Sequence, residues 1–433
     1  MLHASPDPKR PTITTVELIA MVGALMGLNA LSIDIFLPAL GEIGEALGAP
    51  GNDRQLVITA YVFGFGVAQL MFGPLTDALG RRNVLLWALG AYLVSTVICV
   101  MAPTMGLMIA ARALQGVAAA ATRVIAVALV RDLVSGRRMA EIMSFAMTVF
   151  MVVPILAPGI GQAVLAFSDW HAIFAILFVL AAGLAVWMFV RLPETLQPEN
   201  RIGFSLASAA QNYLAAAGNR QSAGYIAAAA FIFGALFAFI ATSEQIIAEL
   251  YGLEDWFAVA FGAVALGLAA ANILNARIVG RLGMRRISHS ALAAFVGVNA
   301  LHLVIALNGQ PPFWVYFPLL GVAMMLFAMM GSNFSSLVME PAGKRAGTAA
   351  ALYGAVTAMS GAVLGSLIGQ AYNGTVVPLI AGLLAMGSIA FAMVFWAEKG
   401  RLFGVNEAAP DVDTQLGAKT APDARTRAET EAN

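Results

Sequence analysis

GPLTDALGRRNVLL, residues 73–86, decides how the rest of the chain is read. A glycine–proline pair, an aspartate, a second glycine and two arginines stand here between apolar runs at 54–75 and 84–102. A helix needs about 20 residues to cross about 30 Å of hydrocarbon. The stretch therefore reads as a polar turn between two membrane-spanning helices. Working outward, the same length test gives twelve runs: 15–40, 54–75, 84–102, 106–130, 140–166, 170–191, 223–250, 256–279, 287–307, 313–338, 347–371 and 376–397. They are too long for barrel strands, and open strands cannot satisfy their backbone groups in lipid. Composition agrees. Of 433 residues, 60% are hydrophobic and 11% charged, where soluble domains carry about 25% charged residues. Mean hydropathy is +0.83. The fold class expected is an all-α integral membrane protein.

The turn has an echo. Residues 276–287 read ARIVGRLGMRRI, another Gly- and Arg-rich turn after a second helix. Between the two lies a long polar stretch, 192–222, with the helices split six and six. Repeated halves of this kind belong to transporters whose bundles rock about a site near the midplane. The expected organisation is an N-terminal segment 1–14, a six-helix bundle 15–191, a central loop 192–222, a second bundle 223–397 and a disordered tail 398–433. The echo is imperfect. Gly280 stands where the first turn has Asp77, and the arginine pair follows an extra Met284. The second copy is expected to lack the carboxylate's role.

Basic residues set the orientation. With the N-terminus in the cytoplasm, Arg54 alone of the 24 Lys and Arg falls on the outer side, and Arg112 and Arg123 fall within helix 4. All the others fall on the cytoplasmic side, so both termini are expected there. No small-residue cleavage pattern follows a short apolar core, so no cleaved signal peptide is read.

Other function classes are excluded from the residues. Formal net charge is zero, which gives no global field for nucleic acid. Cys99 is the single cysteine, so no intrachain disulfide is available. The histidines His3, His171, His289 and His302 show no metal-ligand spacing. No phosphate-cradling G-x-x-x-x-G-K-[ST] occurs, so ATP is not expected as the energy source. No Ser/His/Asp set emerges. The expectation is a non-enzyme without a cofactor.

The motifs resemble those of the major facilitator superfamily. Gly73, Leu75, Asp77, Gly80, Arg81 and Arg82 match G-x-L-x-D-x-x-G-R-R, and Arg112, Gln115 and Gly116 match R-x-x-Q-G. Pro154, Pro158, Gly159 and Gly161 in PILAPGIG look like the superfamily's antiporter motif. With SIDIFLPAL, VRDL and RAGTAAALYG, the chain resembles the Bcr/CflA group of twelve-helix drug:proton antiporters over residues 15–397. The resemblance implies two pseudo-symmetric bundles, a bacterial inner-membrane location and a monomer. It also implies a cytoplasmic gate latch at the turn, with Arg131 and Asp132 as partners available to Asp77.

Asp34 is the one charge in its run after Glu17. An ionised carboxylate deep in lipid costs about 2.5–3.5 kcal/mol even on insertion scales, so it must face the interior, take a proton or find a cation. Burial of a carboxyl favours the neutral acid, and a nearby guanidinium favours the ion. Asp34 is expected to couple protons or bind substrate, the bland reading being a permanent ion pair. Arg112 lies at similar depth and is the expected partner. Arg123 lies eleven residues on, along the same face as Arg112 and Gln115. That face is expected to line the cavity, unless Arg123 instead snorkels to the headgroups. Glu244 mirrors Asp34 in helix 7, either in the cavity or at the outer rim beside Glu249 and Glu254. Phe36, Tyr61, Phe233 and Phe237 are candidate aromatic contacts, and Met324, Met325, Met329 and Met330 offer an adaptable surface, with plain packing as the alternative for each.

The leading functional reading is a proton-coupled exporter of small, apolar or cationic drugs. The alternative is a carrier for one metabolite, an amino acid, polyamine or sugar-like solute. A non-transporting membrane sensor would call for an attached signalling domain, and none is seen.

Overall fold

The computed structural model describes residues 13–49, 51–134, 136–201, 203 and 205–403. The N-terminal segment up to residue 12 and the tail from residue 404 lie outside the described residues. Among the described residues there are helices and no strands, and twelve helices are long and apolar enough to cross a membrane. The first half contains α1 (Thr15–Asp34), α2 (Leu56–Leu79), α3 (Arg81–Val100), α4 (Met105–Leu133), α5 (Gly136–Leu165) and α6 (Trp170–Arg191). The second contains α7 (Arg220–Glu244), α8 (Phe257–Leu282), α9 (Met284–Leu307), α10 (Phe313–Met339), α11 (Ala346–Gln370) and α12 (Val377–Ala397).

Local chemistry sets several of the starts. Thr14, Thr104, Asp169 and Asn219 cap α1, α4, α6 and α7 by accepting a backbone N–H of the first turn. The quoted turn is a single residue. Gly80, at φ 94° and ψ 150°, ends α2 and starts α3. Gly283, at φ 83° and ψ 149°, does the same between α8 and α9. Only glycine adopts such φ without a Cβ penalty, so the repeat is exact at the hinge even where Asp77 is not repeated.

The packing carries the same symmetry. Within the first half α1 packs on α4 and α5, α2 on α4, and α3 on α4 and α6. Within the second, α7 packs on α10 and α11, α8 on α10, and α9 on α10 and α12. The halves meet through α2 against α11 and α5 against α8. A shift of six helices exchanges these two interfaces, as a two-fold relation between halves requires. Large apolar residues such as Trp87, Val179, Val304 and Trp314 remain exposed around the rim, where lipid is their solvent.

Three expectations are corrected. The first span is not one helix to residue 40. It ends at Asp34, turns, passes through a 3-10 segment Leu37–Ala39 and resumes as Leu40–Ala46. Pro38 cannot donate to the Asp34 carbonyl, which breaks the ladder there. The stretch 192–222 is not simply a loop, because Leu206–Ala217 forms a helix capped by Ser205. Residues 398–403, expected in the disordered tail, are packed against the second half. There Glu398 reaches Arg285 and Tyr225, and the Phe403 N–H donates to His289 Nδ1 at 3.1 Å.

Close helix contacts depend on glycine. A Cβ on Gly116 would lie 1.9 Å from the Tyr61 carbonyl oxygen, so α2 and α4 touch through backbone. A Cβ on Gly161 would lie 2.2 Å from the Ile35 oxygen, at the break after Asp34, whereas one on Gly159 would meet nothing within 4 Å. Overpacking typically costs about 1–3 kcal/mol. Gly161→Ala should therefore lower the thermal midpoint of the purified protein, while Gly159→Ala should stay within about 0.5 kcal/mol of wild type. Equal midpoints for the two variants would contradict the packing.

Candidate transport site

Arg112 on α4 is fully buried (0% exposed). Its Nη2 donates to the Ser32 carbonyl at 2.9 Å, Nε to the Val57 carbonyl at 3.1 Å and Nη1 to Gln115 Oε1 at 2.5 Å. The guanidinium carbon lies 4.7 Å from the Phe36 ring centre and 4.5 Å from that of Tyr61. The network continues outward. Gln115 Nε2 donates to Thr96 Oγ1 at 2.7 Å, and the Thr96 hydroxyl donates to the Tyr92 carbonyl. Ser32 Oγ donates to the Leu28 carbonyl, so the Tyr92 hydroxyl is the donor in its 2.6 Å contact with Ser32. Four helices are tied together, and a cation sits on the free carbonyls at the end of α1, where the helix dipole favours it.

The expected Asp34–Arg112 ion pair is not formed. Asp34 is 5% exposed. Among the described residues its side chain has no hydrogen bond or ion pair, while Arg112 spends its donors on carbonyls and an amide. Gln115, Phe36 and Tyr61, expected in the cavity, are fully buried in this cluster. Gly116 draws α2 onto that face of α4 and closes it.

Glu244 lies at the rim away from the arginine-rich turns, called here the far side, and it is 7% exposed. Arg54, from the segment Gly51–Gln55 of the first half, reaches Glu244 at 3.1 Å and Glu249 at 2.5 Å. Beside it Gln55 Nε2 donates to Gln245 Oε1, and Gln245 Nε2 donates to Asn52 Oδ1 at 3.0 Å. Asn52 Nδ2 donates to the carbonyls of Gln370 and Tyr372, both at 2.9 Å. On the other interface Gln162 Nε2 donates to the Glu254 carbonyl at 3.0 Å. Every one of these contacts crosses between halves, so the far side is locked shut. Arg54 is absent from the sequence-based expectation for Glu244. The signal was present, since Arg54 is the lone cation assigned to that side.

On the basic side the quoted turn holds a compact charge cluster. Arg81 Nη2 lies 2.5 Å from Asp77 Oδ1, and its Nε 3.1 Å from Asp132 Oδ2. The Arg81 backbone N–H donates to Glu194 Oε1 at 2.8 Å, and Thr195 Oγ1 donates to Asp132 at 3.2 Å. Asp77 thus pairs within its own motif, because the Gly80 hinge swings Arg81 back under the last turn of α2. Arg131 lies 3.9 Å from Asp132 and is 60% exposed rather than being a partner of Asp77. Arg82 Nη2 donates to the Phe189 carbonyl at 2.8 Å. The second half has a counterpart that its turn does not reveal: Arg285 binds Glu340 at 2.8 Å and Glu398 at 2.9 Å. Those carboxylates follow α10 and α12, as Asp132 and Glu194 stand at the ends of α4 and α6. Glu340 and Glu398 take the parts of Asp132 and Glu194, and with Gly280 at the position of Asp77 the second turn itself supplies no carboxylate.

Between the halves a cavity of about 600 Å³ is bounded by α2, α4, the start of α11 and the helix Leu206–Ala217. Gly73, Asp77, Arg81, Arg123 and Arg131 line it, but Asp34, Arg112 and Glu244 do not. Arg123 stands 6.0 Å from the Phe65 ring centre. Phe233 packs edge-on to Phe327 and Tyr353, and Phe237 fills the space over Gly361 and Gly365. Pro154 and Pro158 lie inside α5. Met324 and Met330 are fully buried.

The profile of the Major Facilitator Superfamily matches residues 22–366. The chain is 30% identical to "Uncharacterized MFS-type transporter YdgK" of Bacillus subtilis (strain 168), over 90% of this chain and 97% of that one. It is 31% identical to "Bicyclomycin resistance protein homolog" of Haemophilus influenzae, over 85% of this chain and 92% of that one. Among solved structures, a bacterial homolog to the human lysosomal transporter Spinster, inward-facing and occupied, superposes with a TM-score of 0.70 at 13% identity, over 90% of this chain and 98% of that one.

If the Arg54 cluster locks the far side, Arg54→Ala should expose it. A cysteine introduced at Gln245, which is 2% exposed in the closed seam, should react with a membrane-impermeant thiol reagent at least about tenfold faster in that background, which corresponds to 1.4 kcal/mol. An unchanged rate would remove Arg54 from the closure.

Proposed function

The chain belongs to the major facilitator superfamily, and we propose that it is a proton-coupled antiporter exporting drug-sized molecules by alternating access. The observation that carries this is Asp34. It is a buried carboxyl at a helix break with no counter-ion fixed beside it. Such a group can exchange a proton without first breaking an ion pair, and intramembrane acids mark proton pathways by default. Arg112 contributes by position. It holds the backbone two residues before Asp34, and so holds the acid, while its own charge is spread over carbonyls and rings. Glu244 is the second acid, engaged by Arg54 while the far side is closed.

The closures support an order of events. With the far side locked and the cavity reaching the basic side, substrate enters from the basic side. Rocking of the halves separates Arg54 from Glu244 and Glu249 and opens the far side, where substrate leaves and a proton is taken up. Return resets the lock and releases the proton on the basic side. In this reading the membrane is a bacterial inner membrane, and the Lys/Arg excess supports a cytoplasmic basic side with both termini on it. Inward movement of one proton is helped by about 2.3 kcal/mol per 100 mV. The relative named for bicyclomycin resistance supports drugs as the cargo.

The test is an efflux-deficient bacterium carrying the wild type or Asp34→Asn at equal membrane level, on a broad antibiotic and dye panel. Resistance to several compounds should be lost at least about tenfold in the variant, and Asp34→Glu should recover part of it. In inverted vesicles the substrate-induced proton release should vanish with it. Full resistance in Asp34→Asn would remove Asp34 from coupling.

A further inference from the structure

The second half holds a buried polar layer that neither the acids nor the cavity described above use. Asn299 and His302 stand three residues apart on α9, and Tyr316 stands in the first turn of α10. All three are buried without exposure (Asn299 0%, His302 0%, Tyr316 0%). The His302 and Tyr316 ring centres are 5.5 Å apart, and a three-residue step keeps Asn299 and His302 on one helix face, about 5–6 Å apart at Cβ. Among the described residues Asn299 Oδ1, both ring nitrogens of His302 and the Tyr316 hydroxyl have no hydrogen-bond partner. The Asn299 amide is oriented by its own donation, Nδ2 to the Phe295 carbonyl at 2.8 Å, so the open atom is the oxygen. Native proteins leave few buried polar atoms unbonded. Here four occur on three neighbouring side chains, and none of them bonds another.

The first half shows what satisfies such a layer. Aligned on the hinge glycines Gly80 and Gly283, α3 and α9 bring Thr96 opposite Asn299 and Cys99 opposite His302. Aligned on Asp132 and Glu340, the carboxylates that meet Arg81 and Arg285, α4 and α10 bring Arg112 opposite Leu320 and Gln115 opposite Ala323. In the first half the Gln115 amide bonds Thr96, and Arg112 holds Gln115. In the second half that amide is cut back to the methyl of Ala323, and an apolar chain stands for the guanidinium. The α9 side has moved the other way, with an amide for a hydroxyl and an imidazole for a thiol. Bonding groups are gained on α9 where their protein partner on α10 is lost.

The open atoms select the ligand. Asn299 Oδ1 accepts only, the Tyr316 hydroxyl donates and accepts, and a neutral imidazole donates at one nitrogen and accepts at the other. The ligand must do both and be small. Among the described residues no His, Cys, Asp or Glu cluster could hold a metal ion. We propose that water binds between α9 and α10, bonded to Asn299, His302 and Tyr316. A buried water makes about three such bonds, and the layer offers enough for it. Exchange runs from the far side. The Tyr251 ring centre lies 5.4 Å from that of Tyr316, and the Tyr251 hydroxyl accepts from the exposed Gln310 amide at 3.0 Å. The site is independent of the exporter reading, since it uses neither Asp34 nor the basic-side cavity. It makes His302 a group that trades its ring proton with water inside the second bundle.

The chain supplies its own controls. His289 is also 0% exposed, but its Nε2 meets the Tyr225 hydroxyl at 2.8 Å and its Nδ1 accepts from the Phe403 N–H at 3.1 Å. His171 has a side chain 44% exposed. The test is solid-state NMR on the full-length chain in lipid vesicles, labelled with 15N-histidine, with each signal assigned by its loss in the matching His→Gln variant. Magnetisation transfer from water to the ring nitrogens should be at least about threefold faster at His302 than at His289, and close to that at His171. Transfer at His302 as slow as at His289 would overturn the proposal. Ala323→Gln restores the amide of the first half and displaces the water, so transfer at His302 should fall to the His289 level. Unchanged transfer in a folded Ala323→Gln chain would also overturn it. Should that variant fail to fold, the comparison of His302 with His289 in the wild type still decides.

Discussion

A guanidinium buried in lipid-facing architecture without a carboxylate beside it is the constraint on which the first half is arranged. Removing a charge from water is costly unless its donors are filled, and Arg112 fills them with backbone carbonyls, one amide and two aromatic faces. Each of these partners comes from an element that must be placed to suit it. The end of α1 supplies Ser32, α2 supplies Val57 and Tyr61, and α4 supplies Gln115. Gly116 lets α2 come near enough, and Gly161 lets α5 close over the break that follows. The location of Asp34 is a result of this arrangement. The acid projects from the last residue of α1, held by a neighbour that does not neutralise it.

Ionic contacts serve different ends on the two sides of the molecule. On the far side the contacts between halves are polar and directed, with one cation shared by two carboxylates and a set of amides bonded to one another and to backbone. Such contacts have water as a ready replacement once they part. On the basic side the charge clusters lie within each half, around Arg81 and around Arg285. They stiffen each bundle without fastening one to the other. A carrier that rocks needs rigid bodies and a seam that opens, and ionic contacts are distributed here accordingly.

Much of this was legible in the sequence, for reasons that differ by element. The spans were legible because lipid imposes a length and a composition together. The hinge was legible because a glycine followed by arginines at the edge of an apolar run has few other uses. The break in α1 was not, although Pro38 is in plain view, since apolar residues continue through Leu40 and hydropathy does not register a lost hydrogen bond. The helix Leu206–Ala217 was hidden by its setting, a polar stretch whose helical segment is short and rich in alanine. The pairing of Asp34 with Arg112 rests in the sequence on depth, with lateral contact implied only by the family resemblance. Depth leaves the azimuth undetermined, and in the fold Arg112 turns to the end of α1 and its carbonyls. The carboxylates on Arg285 are not legible in the repeated turn, because Glu340 and Glu398 come from the ends of other helices.

The two clusters on the basic side also bear on how the chain is made. Glu194 and Glu398 each follow the sixth helix of their half, and each closes onto a residue at the start of the third helix, Arg81 and Arg285. During synthesis the N-terminal parts of a chain emerge first. Neither cluster can be completed until the last helix of its half has left the ribosome and entered the bilayer. Each acid is therefore a late-arriving fastener. The first bundle can be sealed while the second is still being translated, and the second is sealed only after α12, when residues 398–403 turn back onto His289.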